Sequence, residues 1–317
     1  MDFGRKGEKK ANKKGERGMK LVSYRLNGQE TYGVYQEQEQ KVWSLPALEK
    51  QATGQQTLPG TMAEAIALGG KLVARINEWF EQAGEKGEQT AVSAESVEWL
   101  APIPRPLKNI MCVGKNYRDH AIEMAGEASI PTDMIVFTKS PTSVIGNEAP
   151  IPAHSGITEA LDYEGELGVI IGKRGKGISR EEALDYIFGY TIINDVTARD
   201  LQKRHKQFFI GKSLDGTCPM GPWLVTKDEV DNPHALDIET KVNGETRQQS
   251  NTEHFIFPID EIISTLSAGM TLEPGDIIAT GTPAGVGQGM KPPRHLKSGD
   301  VVEINIEQIG TLTNKVQ

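Results

Sequence analysis

Residues 161–171 read Leu-Asp-Tyr-Glu-Gly-Glu-Leu-Gly-Val-Ile-Ile, the most informative pattern in the chain. If this run is extended, side chains two residues apart share a face, which puts Asp162, Glu164 and Glu166 together. The opposite face is then aromatic and aliphatic: Tyr163, Leu167, Val169 and Ile171. The pattern therefore predicts a strand with one acidic and one apolar face.

Two explanations fit the acidic face. Glu164 and Glu166 can supply hard oxygen ligands to Mg2+ or Mn2+, and the cation would relieve their mutual repulsion. The alternative is an edge strand whose acidic face is solvated. Taken alone, the pattern favours the edge strand and leaves the metal site open.

A third acid lies at the end of an apolar run, in Ile193-Asn-Asp-Val-Thr-Ala-Arg-Asp-Leu-Gln202. Asp195, Arg199 and Gln202 are spaced i, i+4 and i+7, so they would share one face of a helix. Asp195 can equally be the N-cap of that helix, with Arg199 as its ion-pair partner. The spacing alone slightly favours this second interpretation.

A histidine and a carboxylate lie close together in Cys112-Val-Gly-Lys-Asn-Tyr-Arg-Asp-His-Ala-Ile-Glu-Met124. This segment predicts a strand, a turn and a short helix on which His120 and Glu123 are neighbours. A carboxylate beside an imidazole can raise its basicity, as a general base requires, although most such pairs are structural. The polar residues 126–133 that follow are typical of a mobile lid.

Two glycine-containing segments complete the candidate motifs. Lys212, in Phe209-Ile-Gly-Lys-Ser213, can neutralise a substrate carboxylate or a developing oxyanion, or it can be a surface cation. The loop Thr280-Gly-Thr-Pro-Ala-Gly-Val-Gly287 follows a predicted strand but matches neither a P-loop nor a dinucleotide motif. Its amide groups can still bind a carboxylate.

The composition argues against several classes of function. The chain has 317 residues, with 35 lysines and arginines against 43 acids, and its net charge of −8 disfavours a nucleic-acid partner. No apolar run approaches the roughly 20 residues of a membrane span, and the N-terminus lacks a hydrophobic signal, so we expect a cytoplasmic protein without a membrane partner. The two cysteines, Cys112 and Cys218, form no paired motif and are expected to be reduced and buried.

Three segments are predicted along the chain. Residues 1–18 are basic and poor in apolar side chains, so we expect a disordered extension. Residues 19–100 predict a small N-terminal domain that opens with a hairpin turning at Asn27-Gly28. A proline-rich stretch then separates this domain from residues 101–317, which carry all the candidate motifs.

The larger segment is expected to be rich in β-structure. Short β-branched runs predict strands at 110–113, 134–137, 167–171, 190–193, 223–225, 238–242, 277–280 and 301–306. Helices are predicted over 61–84, from Ser179 onward, and around 259–266. Because strands and helices do not alternate, we predict the α+β class, as a β-rich mixed-sheet roll with a small N-terminal α+β domain.

Taken in order, these motifs resemble those of the fumarylacetoacetate hydrolase family. The matching segments are Gly114-Lys-Asn-Tyr-Arg-Asp-His120, Phe137-Thr-Lys-Ser-Pro-Thr142, Asp162-Tyr-Glu-Gly-Glu-Leu167, Asn194-Asp-Val-Thr-Ala-Arg-Asp200, Gly211-Lys-Ser213, Lys241-Val-Asn-Gly-Glu245 and Thr280-Gly-Thr-Pro-Ala-Gly-Val-Gly287. The resemblance covers about residues 101–315.

The resemblance implies a β-roll catalytic domain, usually in a homodimer, with Mg2+ or Mn2+ at its site. The implied residues are, for the metal, Glu164, Glu166 and Asp195; for catalysis, His120, Glu123 and Lys212; and for substrate binding, Arg118, Gln202, Gly281 and Thr282. The His120–Glu123 pair would lie on a closing lid.

The implied substrate is a small 2-oxoacid, from which a metal-stabilised enolate forms. The first hypothesis is an oxaloacetate decarboxylase or acylpyruvate hydrolase, in which a C–C bond breaks. The second is a 2-hydroxyhepta-2,4-diene-1,7-dioate isomerase or a 5-carboxymethyl-2-oxo-hex-3-ene-1,7-dioate decarboxylase of homoprotocatechuate breakdown. A third is a protein that binds a partner through its N-terminal domain, against which the complete set of site residues argues.

Overall fold

The structure is a computed structural model that describes residues 19–317. The predicted basic extension, residues 1–18, lies outside the described residues. Within the described range no helix is long and apolar enough to cross a membrane.

Strands greatly outnumber helices in this range. The strands are β1 (Lys20–Leu26), β2 (Gln29–Gln36), β3 (Lys41–Ser44), β4 (Ala91–Ser93), β5 (Glu98–Trp99), β6 (Ile110–Gly114), β7 (Ile135–Lys139), β8 (Val144–Ile145), β9 (Leu161–Asp162), β10 (Gly165–Ile171), β11 (Ile187–Asn194), β12 (Thr197–Ala198), β13 (Cys218–Thr226), β14 (Asp237–Val242), β15 (Glu245–Asn251), β16 (Ile277–Ala279), β17 (Val301–Ile306) and β18 (Gly310–Lys315). The α-helices are α1 (Leu45–Thr53), α2 (Met62–Ala65), α3 (Gly70–Ala83), α4 (Arg118–Ala125), α5 (Arg199–His205), α6 (Phe209–Lys212) and α7 (Ile259–Gly269).

One large mixed sheet organises the molecule, with its main path in the order β4-β3-β2-β1-β13-β11-β10-β16-β6-β7. Most neighbouring strands are antiparallel, whereas β16 and β6 are parallel. A second sheet has the order β15-β14-β17-β18 and packs near the start of β10, where a side chain at Gly165 would meet Thr240 and Ile304. The predicted α+β class and β-rich mixed sheet are confirmed.

The N-terminal segment extends this sheet. β1 and β2 pair from Lys20–Tyr35 to Leu26–Gln29, and the intervening Asn27-Gly28 turn has positive φ angles of 51° and 79°, as the hairpin prediction requires. On its other edge β1 pairs with β13. The backbone of residues 19–100 is therefore joined by hydrogen bonds to the sheet that carries the candidate motifs.

Of the three predicted helices, one is observed, one is split in two and one is absent. The helix of 259–266 is observed as α7, but that of 61–84 is split into α2 and α3 because Gly69 has φ 56° and ψ −140°, which no α-helical residue adopts. Ser179 starts no α-helix. The segment before β11 forms only a single 3-10 turn, Ala183–Tyr186, because the chain enters the sheet directly after it.

Candidate active site

Three buried carboxylates converge near the centre of the large sheet. Glu164, Glu166 and Asp195 each offer a ligand oxygen, and these oxygens lie within 4.8 Å of one another. These three residues are almost inaccessible, with exposures of 5%, 2% and 0%. The three acids of the predicted metal site are therefore in one place, although the strand pattern alone had favoured a solvated edge.

The sheet register brings these acids together. Glu164 lies between β9 and β10, and Asp195 directly follows β11. Since β10 and β11 run antiparallel with Gly165 opposite Asn194, the start of one strand meets the end of the other. The Asp195 amide also donates to the Glu164 carbonyl at 2.8 Å. The edge-strand interpretation is wrong because β10 pairs on both sides, with β11 and β16.

Three buried cations balance the acids. Lys212 Nζ lies 2.7 Å from Glu164 Oε2 and 2.7 Å from Asp195 Oδ2, so it is no surface cation. Lys139 Nζ lies 2.8 Å from Asp195 Oδ1. Arg199 contacts Glu164 through Nη2 at 2.7 Å. These contacts place the cations against Glu164 and Asp195, whereas the hydrogen bond found for the Glu166 carboxylate comes from the Gly281 amide.

Because the cations contact Glu164 and not Glu166, the pKa values of the two glutamates shift in opposite directions. Burial raises the pKa of Glu164, but the charges of Lys212 and Arg199 outweigh it and lower the pKa to about 2. Burial and the charges of Asp195 and Glu164 raise the pKa of Glu166 well above its ordinary value. A buried all-oxygen donor set with one insufficiently compensated carboxylate fits a hard divalent cation such as Mg2+ or Mn2+.

Asp162 has a different role from its neighbours on the acidic face. Its Oδ2 accepts a hydrogen bond from Arg199 at 2.8 Å, and its carboxylate oxygens accept the backbone amides of Gly287 and Gln288 at 2.7 and 2.9 Å. Arg199 thus pairs with Asp162 and Glu164, and α5 begins at Arg199 after the N-cap residue Ala198. The interpretation of Asp195 as the N-cap paired with Arg199 is therefore wrong.

The predicted His120–Glu123 pair is present on α4. His120 Nδ1 lies 3.5 Å from Glu123 Oε2, and the His120 side chain is 7% exposed. Glu123 is fixed in turn by the Gly285 amide, which donates to its Oε1 at 3.0 Å. The glycine-rich loop thus orients the carboxylate that faces the histidine.

A cavity of about 470 Å³ opens onto the acids and the histidine. It is lined by Val113, Gly114, Lys115, His120, Met124, Ala125, Phe137, Glu164, Glu166, Arg199, Gln202, Lys203, Lys206, Phe208, Lys212, Thr282 and Gln288. This volume suits a small-molecule ligand.

Comparison with known proteins identifies the family. A family model described as "Fumarylacetoacetate (FAA) hydrolase C-terminal" matches residues 109–317. The chain belongs to this family. Its resemblance to the fumarylacetoacetate hydrolase family and its predicted fold are both confirmed.

Three relatives illustrate the similarity. Oxaloacetate tautomerase YisK of Bacillus subtilis (strain 168) is 54% identical over 281 residues, which cover 88% of this chain and 93% of the relative. The structure of a fumarylacetoacetate hydrolase (EaFAH) from Exiguobacterium antarcticum is 43% identical with a TM-score of 0.78, covering 94% of this chain and 99% of that one. A 2-hydroxyhepta-2,4-diene-1,7-dioate isomerase from Mycobacterium marinum is 33% identical with a TM-score of 0.69, covering 94% and 98%.

The protein is thus an enzyme of the fumarylacetoacetate hydrolase family. Enzymes of this family generally depend on a divalent metal, and Glu164, Glu166 and Asp195 form the group of acids that fits one. The three relatives are named as a tautomerase, a hydrolase and an isomerase.

The four predicted substrate residues occupy different positions. Gln202 and Thr282 line the cavity, and the Gly281 amide donates to Glu166 Oε2 at 2.8 Å. Arg118 lies elsewhere, with its side chain 63% exposed and 4.0 Å from Glu127. Their roles in substrate binding stay predictions.

Sequence reasoning gave no role to Lys139. Its side chain is fully buried and also donates to the backbone carbonyls of Val196, at 3.0 Å, and Lys212. Its position could have indicated a role in the site, because Lys139 ends β7 and lies inside one of the family motifs.

Proposed function

We propose that this protein is a metal-dependent oxaloacetate tautomerase, which interconverts the keto and enol forms of oxaloacetate. The observation that carries the proposal is that the buried acids and the His120–Glu123 pair share one small cavity. The name of the 54% identical Bacillus relative supports the choice of substrate.

The acids Glu164, Glu166 and Asp195 would hold Mg2+ or Mn2+, which supplies a Lewis acid to polarise the 2-oxo group and stabilise the enolate. Lys212 adds a fixed positive charge beside these acids, inside the same cavity. A preorganised charge in a site shielded from water stabilises negative charge that develops on the substrate oxygen.

His120 would move the proton. In the keto-to-enol direction the imidazole would take a proton from C3, and the enolate oxygen at C2 would gain a proton from water as the enol forms. In the reverse direction the enol hydroxyl would lose its proton to water, and the imidazolium would return one to C3. Glu123 faces Nδ1 of His120 and holds the ring in orientation, while the Gly285 amide holds Glu123. No C–C bond breaks and no water is consumed.

Cleavage of a C–C bond is the second candidate, as a decarboxylation of oxaloacetate or a hydrolysis of an acylpyruvate. The same His120–Glu123 pair favours it, because a base beside the cavity can activate water as well as remove a proton. The isomerase and decarboxylase reactions of homoprotocatechuate breakdown would use the same acids on a longer diacid.

The proposal is tested by following the ultraviolet absorbance of enol-oxaloacetate with Mg2+ or Mn2+, while pyruvate is measured in a parallel coupled assay. Both rates are compared with a blank that contains the metal alone. We expect enol conversion well above the blank, with pyruvate release close to it. Glu164→Ala should reduce conversion by about a hundredfold or more, since a metal ligand and a buried charge are lost together.

Glu159→Ala is the matched control, because Glu159 is an exposed acid near the same chain segment and should leave the rate unchanged. Pyruvate release that exceeds enol conversion and disappears in Glu164→Ala would contradict the tautomerase and support the decarboxylase. Enol conversion and pyruvate release that both stay at the rate of the blank would contradict both activities on oxaloacetate.

A further inference from the structure

We propose that three lysines at the opening of the cavity, Lys115, Lys203 and Lys206, bind the second carboxylate of the substrate. They would make the enzyme selective for dicarboxylic 2-oxoacids over monocarboxylic ones. The inference rests on the proposed function, because it names the residues that bind the carboxylate of oxaloacetate farthest from the reacting 2-oxo group.

One face of α5 connects the buried acids to the opening. Arg199, Gln202 and Lys203 are spaced i, i+3 and i+4 on α5, and Lys206 is the residue that directly follows this helix. All four line the cavity. Arg199 is 6% exposed, Gln202 is partly buried, and the two lysines are exposed. This segment therefore presents polar and positively charged side chains both at the buried acids and at the exposed end of the cavity.

The positive charge at the opening is uncompensated. The deeper cations Arg199 and Lys212 are engaged by acids at 2.7 Å. Among residues 19–317, by contrast, Lys115, Lys203 and Lys206 have no ion pair. The only acids that line the cavity, within this described range, are the two deep glutamates. In a chain with a net charge of −8, free lysines gathered at one opening form an attractive site for an anion.

Two of these lysines have an unusual backbone conformation. Lys115 has φ 54° and Lys206 has φ 61°, although residues with a Cβ seldom adopt positive φ. They lie in separate segments: Lys115 is in the connection from β6 to α4, and Lys206 directly follows α5. The fold thus brings lysines from two distant segments to one opening at positions that glycine would occupy more easily.

The chemistry of oxaloacetate fits this arrangement. With its 2-oxo and C1 carboxylate groups directed to a cation that the buried acids would hold, its C4 carboxylate would extend toward the opening. Ammonium groups stabilise that carboxylate in its charged form, whereas decarboxylation requires it to lose its charge as CO2 leaves. The lysines therefore favour proton transfer at C3 over loss of CO2.

The test compares oxaloacetate with its 4-methyl ester, which keeps the reacting atoms and lacks the second charge. In the triple variant Lys115→Gln/Lys203→Gln/Lys206→Gln, the preference for the diacid, as a ratio of kcat/KM values, should fall by about tenfold, the combined effect of three solvent-accessible charge contacts. The change should lie in KM for oxaloacetate more than in kcat. An unchanged ratio overturns the inference.

A control variant separates this effect from net charge. Lys50→Gln/Lys71→Gln/Lys297→Gln removes three exposed lysines that do not line the cavity and should leave the ratio as it is. An equal fall in this control also overturns the inference, because the loss of any three positive charges would then explain the change in the ratio.

Binding of unreactive acids makes the test independent of the tautomerase. Malate and lactate both carry a 2-hydroxycarboxylate, and only malate has a second carboxylate. Calorimetry with Mg2+ should show tighter binding of malate to the wild-type protein, and loss of that preference in the cavity triple variant. If this holds while no tautomerase activity is found, the proposed function fails and the lysine site stands. If malate and lactate bind equally to the wild type, the lysine site is wrong.

Discussion

Lys139 shows how a single residue can support the whole site. It is fully buried, its ammonium group lies 2.8 Å from Asp195 Oδ1, and it donates to the backbone carbonyls of Val196 and Lys212. It therefore joins the segment after β11 to the last residue of α6. Lys139 does not line the cavity, so we assign it a positioning role for Asp195 and Lys212.

We predict that Lys139→Met lowers the free energy of unfolding by about 3 kcal/mol, because removal of one partner leaves buried Asp195 less compensated. Saturating Mg2+ or Mn2+ should restore part of this loss, since a divalent cation at the acids supplies the missing positive charge and binds only the folded state. Urea unfolding with and without metal measures both effects.

The control is Lys241→Met, which breaks a partly exposed ion pair with Glu239. Its cost should stay within about 1 kcal/mol, and metal should add no more stability than it does to the wild type. Equal costs for the two variants, or no metal-dependent recovery in Lys139→Met, would show that Lys139 does not support the acids.

At the scale of elements, the loop after β16 holds the site together through its backbone. The Gly281 amide donates to Glu166, the Gly285 amide to Glu123, and the Gly287 amide to Asp162. One loop thus holds Glu166, a predicted metal ligand; Glu123, a member of the predicted acid–base pair; and Asp162, the ion-pair partner of Arg199. The carboxylates that these amides bind are therefore side chains of the protein itself.

Gly285 is the glycine of this loop at which an added side chain would clash most closely with its surroundings. Its φ is 105°, and a Cβ there would lie 1.9 Å from the Arg247 carbonyl oxygen. We predict that Gly285→Ala shifts the loop, weakens the hold on Glu123 and lowers kcat by about tenfold or more. Metal affinity should change little, because Glu164 and Asp195 have other partners. Steady-state kinetics and calorimetric metal titration measure the two quantities.

Gly156→Ala is the matched control. Gly156 also has a positive φ, 84°, but a Cβ there would have no atom within 4 Å. This variant should lose about 1 kcal/mol of stability and keep its kcat. If Gly285→Ala behaves in the same way, the loop does not position Glu123.

At the scale of the whole molecule, the N-terminal segment and the site share a sheet and a core. β1 pairs with β13, and the fully buried Leu21 belongs to the same hydrophobic cluster as Leu224 and Met220. β13 also pairs with β11, the strand that leads to Asp195. Unfolding of the first segment would therefore expose the core beneath the site.

We predict that the two segments unfold in one cooperative transition. Three of the four tryptophans, Trp43, Trp79 and Trp99, lie in the first segment, so urea curves followed by fluorescence report mainly on it, while residual activity reports on the site. The two curves should coincide. Leu21→Ala should shift both together by about 3 kcal/mol, since it leaves a cavity in the shared core.

Leu107→Ala serves as the comparison, because Leu107 is 72% exposed and its loss should change stability by no more than about 0.5 kcal/mol. Curves that separate, with activity surviving after the fluorescence change, would mean that the shared sheet does not couple the segments.

The sequence by itself determined the family and the fold class, and through the family resemblance it also named the three clustered acids, Glu164, Glu166 and Asp195. Ordered motifs carry the family signal, and the alternation around Glu164 and Glu166 is a local property of an extended chain. The apolar face predicted for that strand does pack in the core, through Tyr163 and Leu167. Such patterns need only neighbouring residues, and for that reason they could be predicted.

Tertiary structure alone decided where β10 lies and which charges meet. β10 is central because it pairs with β11 and β16, and strand pairing depends on segments far apart in sequence. The partners of Asp195 proved to be Lys139 and Lys212, whereas local spacing suggested Arg199. Helical spacing brings residues near each other on one helix, but buried charges pair with whatever the folded chain places within a few ångströms, because burial makes an unpaired charge so costly.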